Sequence, residues 1–213
     1  RRPRLELGIA AVCLVLSFSW LCGHFSAMPS HLPRLAAVAY RVIGALLVLN
    51  VPIILIDMLA LRYRIGDLGF RFAERGLWAV PLILACFFGL AYISKSGFTL
   101  GNFIQEAGSP LGAITAAIFL AATPEEFFRM TWQTRFGEAT GNRAAGWFLT
   151  AILWPLLHAP NFHAGGTHWS ATLITCLNMV PLGLLWGYVL HRSQSLFPTI
   201  LLHCFNYSGL QNF

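Results

Sequence analysis

Residues 121–133 read Ala-Ala-Thr-Pro-Glu-Glu-Phe-Phe-Arg-Met-Thr-Trp-Gln, and this stretch decides the fold. It lies in an apolar run, about 111–134, long enough to cross a bilayer. Yet it carries two adjacent acids, Glu125 and Glu126, and a base, Arg129. A charge at the bilayer centre costs at least about 2.5–3.5 kcal/mol. Such a cluster persists only where it finds partners, a polar cavity or a proton, which makes it a candidate functional site. Pro124 directly precedes the acids; it removes one helical hydrogen bond and kinks the helix, opening backbone beside them. Glu125 stands i, i+4 and Glu126 i, i+3 from Arg129, so either acid can meet the guanidinium on one helix face. One acid is expected to be held ionised by Arg129 while the other stays free to titrate. The structural alternative is a buried ion pair that only fixes helix packing.

The rest of the chain supports a membrane reading. Of its 213 residues, 57% are hydrophobic and only 10% charged, against about 25% charged in an average soluble domain. Mean hydropathy is +0.66. Seven runs qualify as spans, at about 7–27, 38–61, 77–94, 111–134, 144–160, 170–190 and 194–212. The first is too long for the apolar core of a signal peptide. The expected architecture is all-α: a polytopic transmembrane helical bundle of about seven spans. It forms one domain over residues 1–213, with the site-bearing helices at about 111–213.

The net charge of +6 does not mark a nucleic-acid binder, because the basic residues fall between apolar runs and form no single patch. Arg1, Arg2 and Arg4 precede the first run; Arg62, Arg64, Arg71 and Arg75 follow the second. Arg135 and Arg143 follow the fourth, and Arg192 the sixth. The opposite loops keep only Arg34 and Lys95. Positive charge marks cytoplasmic loops, so the N-terminus is expected in the cytoplasm and the C-terminus outside. The basic, amphipathic loop 62–75 is expected to lie at the interface beside anionic lipid. The cysteines Cys13, Cys22, Cys86, Cys176 and Cys204 lie in or beside apolar runs without a C-x-x-C pair. They read as packing residues, not as disulfides or a zinc site.

Two further segments carry polar residues at membrane depth. The fifth run ends Trp-Pro-Leu-Leu-His-Ala-Pro, which offers His158; the last carries Leu-Leu-His-Cys-Phe-Asn-Tyr. There His203 and Asn206 are i, i+3 and Tyr207 is i+4 from His203, so all three share a face. Taken singly, each is equally an interhelical hydrogen-bond contact. Depth brings them together. At the helical rise Glu125 lies roughly 15 Å from Arg135, His203 roughly 16 Å from Arg192 and His158 roughly 22 Å from Arg143. Converging carboxylate, imidazole and amide groups can activate water and stabilise an oxyanion.

This constellation resembles the CAAX protease and bacteriocin-processing (CPBP) family, which includes the Ras-converting CAAX endopeptidases. The family pattern is E-E-x-x-x-R, an aromatic-x-x-x-H, then H-x-x-x-N. The residues that match are Glu125, Glu126 and Arg129, Trp154 to His158, and His203 with Asn206. The resemblance runs from about residue 60 to 207, including Leu68-Gly69-Phe70-Arg71. It implies a metal-independent intramembrane glutamic endopeptidase, without a cofactor. Its substrate would be a membrane-associated peptide or protein, carrying a C-terminal signal or a lipid. By the family's roles, Glu125 and His158 activate water, while His203 and Asn206 stabilise the oxyanion. Glu126 and Arg129 support the site. Three positions depart from the pattern. The acids stand one residue closer to Arg129, so that if Arg129 sets the register Glu125 takes the second glutamate's place and Pro124 the first's. Trp154 replaces the usual Phe. Asn206 follows His203 by three residues, with Tyr207 in the fourth place as a second candidate donor.

Other classes fit less well. There is no H-E-x-x-H for a zinc protease and no G-x-S-x-G elbow. The Gly66-Asp67 pair lies in a charged loop, away from membrane depth. His158, His163 and His168 fall at i, i+5, i+10, which does not align three ligands on one helix face. A transporter built around Asp57 and Asn50 should show repeats or broken helix pairs, and none is visible. The alternative of another class is a non-proteolytic membrane scaffold or immunity protein with the same fold. A bacterial inner membrane is the expected location.

Overall fold

The computed structural model describes residues 2–27, 36, 40, 50–72, 81, 85, 100–164 and 166–207. Among the described residues every regular element is helical. In chain order they are α1 (Pro3–Ala27), α2 (Val51–Leu55), α3 (Leu100–Ala107), α4 (Pro110–Ala116) and α5 (Thr123–Thr140). They continue with α6 (Arg143–Leu156), α7 (Ala159–Ala164), α8 (Trp169–Asn178), α9 (Val180–Ser193) and α10 (Leu196–Tyr207). A π-helical turn, Ile56–Ala60, continues α2, and a second, Ala117–Ala122, joins α4 to α5.

Among the described residues, two helical stretches are long and apolar enough to cross a membrane: Pro110–Thr140 and Trp169–Ser193. They correspond to the fourth and sixth expected spans. Helix α1 runs through the first expected span, and α10 through the last expected one as far as Tyr207. The third span, 77–94, lies outside the described residues apart from positions 81 and 85. The fifth differs from expectation. Pro155 sits in the last turn of α6, and the chain closes through short bonds from Leu157 N–H to the Trp154 carbonyl and from His158 N–H to the Pro155 carbonyl. A proline at that place and Pro160 just beyond deny the helix its ladder. His158 therefore sits on a turn, not inside a span. The sixth is interrupted at Met179, where Pro181 opens α9.

Local sequence explains the α5–α6 corner. Gly141 ends α5 at φ +67°, a left-handed conformation that glycine adopts without cost. Asn142 then caps α6, its Oδ1 accepting from the Ala144 and Ala145 N–H groups at 2.9 and 3.2 Å. The hairpin packs backbone against backbone. A Cβ on Gly146 would lie 2.4 Å from the Gln133 carbonyl oxygen and 2.5 Å from the Gly137 nitrogen. Close approach through small residues is how helices associate where lipid offers no hydrophobic drive. Helix α9 enters the same seam through Gly183, where a Cβ would meet the Ala151 carbonyl at 2.8 Å. Around α5 the core is aromatic: Phe128 lies against Trp132 and Trp132 against Phe136, at 5.3 and 5.0 Å between rings.

The segment 50–72 ties into this bundle at several points. Near the basic end, Arg71 Nε donates to the Gln194 carbonyl at 2.7 Å, Leu196 N–H donates to the Gly69 carbonyl at 2.9 Å, and Ser195 Oγ donates to the Arg71 carbonyl. The Leu68-Gly69-Phe70-Arg71 segment thus grips the turn between α9 and α10. Gly69 holds φ +88°, and a Cβ there would lie 2.9 Å from Leu196 Cγ. Deeper in the same half, Glu6 of α1 pairs with Arg135 of α5 and accepts from the Tyr63 hydroxyl at 2.8 Å.

The glycine seam yields a stability prediction. Gly146→Val should lower the unfolding free energy in detergent by about 1–3 kcal/mol, since the new side chain must push α5 and α6 apart. Gly8→Ala, in open space on α1, should leave stability unchanged or raise it by up to about 1 kcal/mol. Equal melting of the two variants would contradict the close approach described.

Candidate active site

Four elements bring the site together: the first turn of α5, the last turn of α6 with the turn behind it, and the middle of α10, closed by α9. Both acids fall in the first turn of α5 because Pro124 occupies its opening positions. The preceding π turn absorbs the missing N–H: Thr123 N–H reaches back to the Ile118 carbonyl, five residues earlier. Such single π turns concentrate at functional positions.

The two glutamates take different surroundings. Glu126 is wholly buried. Its Oε2 accepts from Arg129 Nε at 3.0 Å and its Oε1 lies 2.9 Å from His203 Nδ1. The sequence left Arg129 free to choose between the acids, and it takes Glu126. Arg129, equally buried, also donates from Nη1 to the Gly183 carbonyl at 3.2 Å and stacks over the Trp154 ring at 4.3 Å. A guanidinium spread over a carboxylate, a carbonyl and an indole face is how a buried arginine recovers lost hydration.

Glu125 remains partly open, with 25% of its side chain exposed. Its Oε2 is the meeting point of three groups. Trp154 Nε1–H donates to it at 2.7 Å, His158 Nε2 stands 3.4 Å away and His203 Nε2 3.7 Å away. The tautomers follow from the other ring nitrogens. His158 Nδ1 faces the Trp154 carbonyl at 3.3 Å, and a carbonyl only accepts, so that nitrogen carries the proton. His203 Nδ1 faces the Glu126 carboxylate, and the same reasoning places a proton there. Both Nε2 atoms therefore turn towards Glu125.

Of the residues singled out from sequence, the structure joins Glu125, Glu126, Arg129, His158 and His203 in one cluster. Asn206 lies one turn beyond His203 on α10, half-buried. The Tyr207 side chain lies outside the described residues. His163 and His168 do not join: His163 contacts the Thr167 carbonyl and stacks on Trp169, and His168 caps α8. Among the described residues no three His, Cys, Asp or Glu side chains are grouped to hold a metal ion.

Trp154 has a larger part than its place in the motif foretold. It donates to one glutamate's oxygen, carries the other's arginine on its face and gives its carbonyl to His158. A phenylalanine at this position would lack the N–H. The signal was present in the sequence, since a buried indole N–H needs an acceptor.

Residues 106–208 match the family model described as type II CAAX prenyl endopeptidase Rce1-like. That stretch is just under half of the chain. The matched stretch covers α4 to α10 and contains every residue of the cluster above. No curated protein and no solved structure shows a significant match. The match to this protease family supports a CAAX protease-type character, a peptide or protein substrate and, with the apolar helices, a place in the membrane.

The ion pair should be costly to break and cheaper to remove whole. Arg129→Met strands a buried carboxylate and should destabilise the fold by about 3–5 kcal/mol. Adding Glu126→Gln, which removes the charge, should recover at least half of that loss. Denaturant titration of both variants in micelles checks this; additive losses would show that the two side chains act independently.

Proposed function

We propose that the chain is an intramembrane glutamic endopeptidase in which Glu125 is the working base. One observation carries the reading: a single carboxylate oxygen of Glu125, partly open to its surroundings, is faced by two imidazole nitrogens and an indole N–H. Its neighbour Glu126 is fully buried and committed to Arg129 and His203.

In this reading water binds between Glu125 and His158. The His158 Nδ1 proton is anchored on the Trp154 carbonyl, so the Nε2 lone pair accepts a hydrogen bond from one water O–H and orients it, while Glu125 removes the other proton. The oxygen attacks the scissile carbonyl carbon, and the carbonyl π pair moves onto oxygen. When doubly protonated, His203 donates Nε2–H to that oxyanion while Glu126 accepts from Nδ1–H. Asn206, or Tyr207 one place further, adds a second donor. Collapse of the tetrahedral intermediate expels the amine, which takes the proton held by Glu125. The products are a new carboxyl end and a new amino end.

The substrate is a membrane-associated peptide or protein, with a C-terminal signal or an attached lipid bringing its cleavage site to depth. The whole chain forms one seven-span domain in this proposal, N-terminus in the cytoplasm, in a bacterial inner membrane. The alternation of basic loops supports that orientation.

Two measurements in reconstituted vesicles test the proposal. Glu125→Gln should lower kcat for peptide cleavage by about 10²–10⁴-fold, the usual loss of a general base, with an unchanged melting curve. A well-folded Glu125→Gln protein cleaving at the wild-type rate sinks the catalytic reading and favours a membrane scaffold. Cleavage should also survive a chelator at concentrations that strip zinc, since the reaction rests on carboxylate and imidazole alone. Loss of activity on chelation, restored by added zinc, would return the histidines to a metal role.

A further inference from the structure

Asn50 stands outside the family-matched stretch, 74 residues before Pro124, yet it reaches the site. It immediately precedes α2 and is buried. An asparagine at a helix start ordinarily turns its side chain onto its own helix. Here it makes no such cap. Its Nδ2 instead donates to the Pro124 carbonyl at 3.0 Å, one residue before Glu125. Its Oδ1 is buried without a hydrogen-bond partner among the described residues. A buried polar atom left unmatched is costly, and such exceptions call for an explanation.

The backbone it grips is the weakest point of the Pro110–Thr140 helix. Ala117–Ala122 is wound as a π turn and Pro124 contributes no N–H, so the α-helical ladder is interrupted just ahead of the acids. The helix's own bonds therefore set the rotation of its first turn loosely, and that rotation decides where Glu125 points. We propose that Asn50 is a positioning residue for Glu125: by holding the Pro124 carbonyl, it fixes the α5 turn that aims the carboxylate at His158 and Trp154. This rests on the reading of Glu125 as the base. It adds a group from the upstream half of the chain that acts through the backbone without touching substrate.

The test is peptide cleavage in vesicles with Asn50→Leu and Asn50→Asp. Leucine keeps the branched shape and the number of heavy atoms and cannot donate. It should lower kcat by about 10–100-fold, the scale of a small misplacement of a reacting group, with KM within about twofold. Aspartate supplies an internal switch. As the neutral acid its O–H can donate to the Pro124 carbonyl, and as the carboxylate it cannot. The Asn50→Asp rate relative to wild type should therefore fall as pH rises, while the Asn50→Leu ratio stays flat. In a Glu125→Gln background, neither change should lower the residual rate further. Wild-type kcat in Asn50→Leu, a loss confined to KM, or a flat pH ratio for Asn50→Asp would each overturn the proposal. Should Asn50→Leu fail to fold, the Asn50→Asp pH ratio and its combination with Glu125→Gln decide alone. Glu125→Gln on its own separates the two readings: if it cleaves normally, the catalytic assignment fails first and Asn50 has nothing to aim.

Discussion

The buried pair of Glu126 and Arg129 is the constraint around which the site is arranged. Two charges taken out of water cost several kcal/mol each unless every polar atom finds a partner. The partners they find come from the helices packed on α5, and only Arg129 Nη2 stays without one among the described residues. Gly183 of α9 gives a carbonyl, His203 of α10 gives an N–H, and Trp154 of α6 gives its ring face. Satisfying one ion pair thus fixes the relative placement of four helices. The same demand for closeness explains the glycines: only a residue without Cβ lets α6 and α9 approach this seam.

The pair also divides labour between two chemically identical neighbours. Adjacent residues on a helix point about 100° apart, so burying Glu126 leaves Glu125 at the edge of the packed face. One acid is neutralised in place and orients a histidine. The other keeps an open side. Two carboxylates separated by environment are a recurrent way to obtain distinct roles from one residue type. The shortened spacing to Arg129 is compatible with this division, because i, i+3 reaches the arginine as well as i, i+4 does.

Much of this was legible in the sequence, for reasons that can be stated. Charges and histidines in apolar runs are expensive, so their positions announce a site before any geometry is known. The helical rise pointed to one level for Glu125, His158 and His203, and the structure gathers the three side chains. Which glutamate Arg129 takes was not legible, since both spacings fit. The end of α6 at Leu156 was only half legible: Pro155 and Pro160 flag a break, but membrane helices also carry internal prolines where neighbouring groups satisfy the freed backbone. Trp154 could have been read further, because its N–H needed an acceptor. Asn50 could not: a lone amide in an apolar run has no spacing relation to a carbonyl so far along the chain. The third span and the Tyr207 side chain lie outside the described residues, so their expectations stand as sequence readings.

The grip of Gly69 and Arg71 on the turn before α10 has a consequence for where this protein can be divided. Sequence similarity draws a border at residue 106, and every side chain of the cluster lies beyond it. Yet the base of the helix that carries His203 is bonded to backbone and guanidinium from residues 69–71. The unit of inheritance and the unit of mechanical support are therefore different lengths of chain. A graft that moved only the similar portion into another membrane scaffold would carry every side chain of the cluster and leave one of its footings behind.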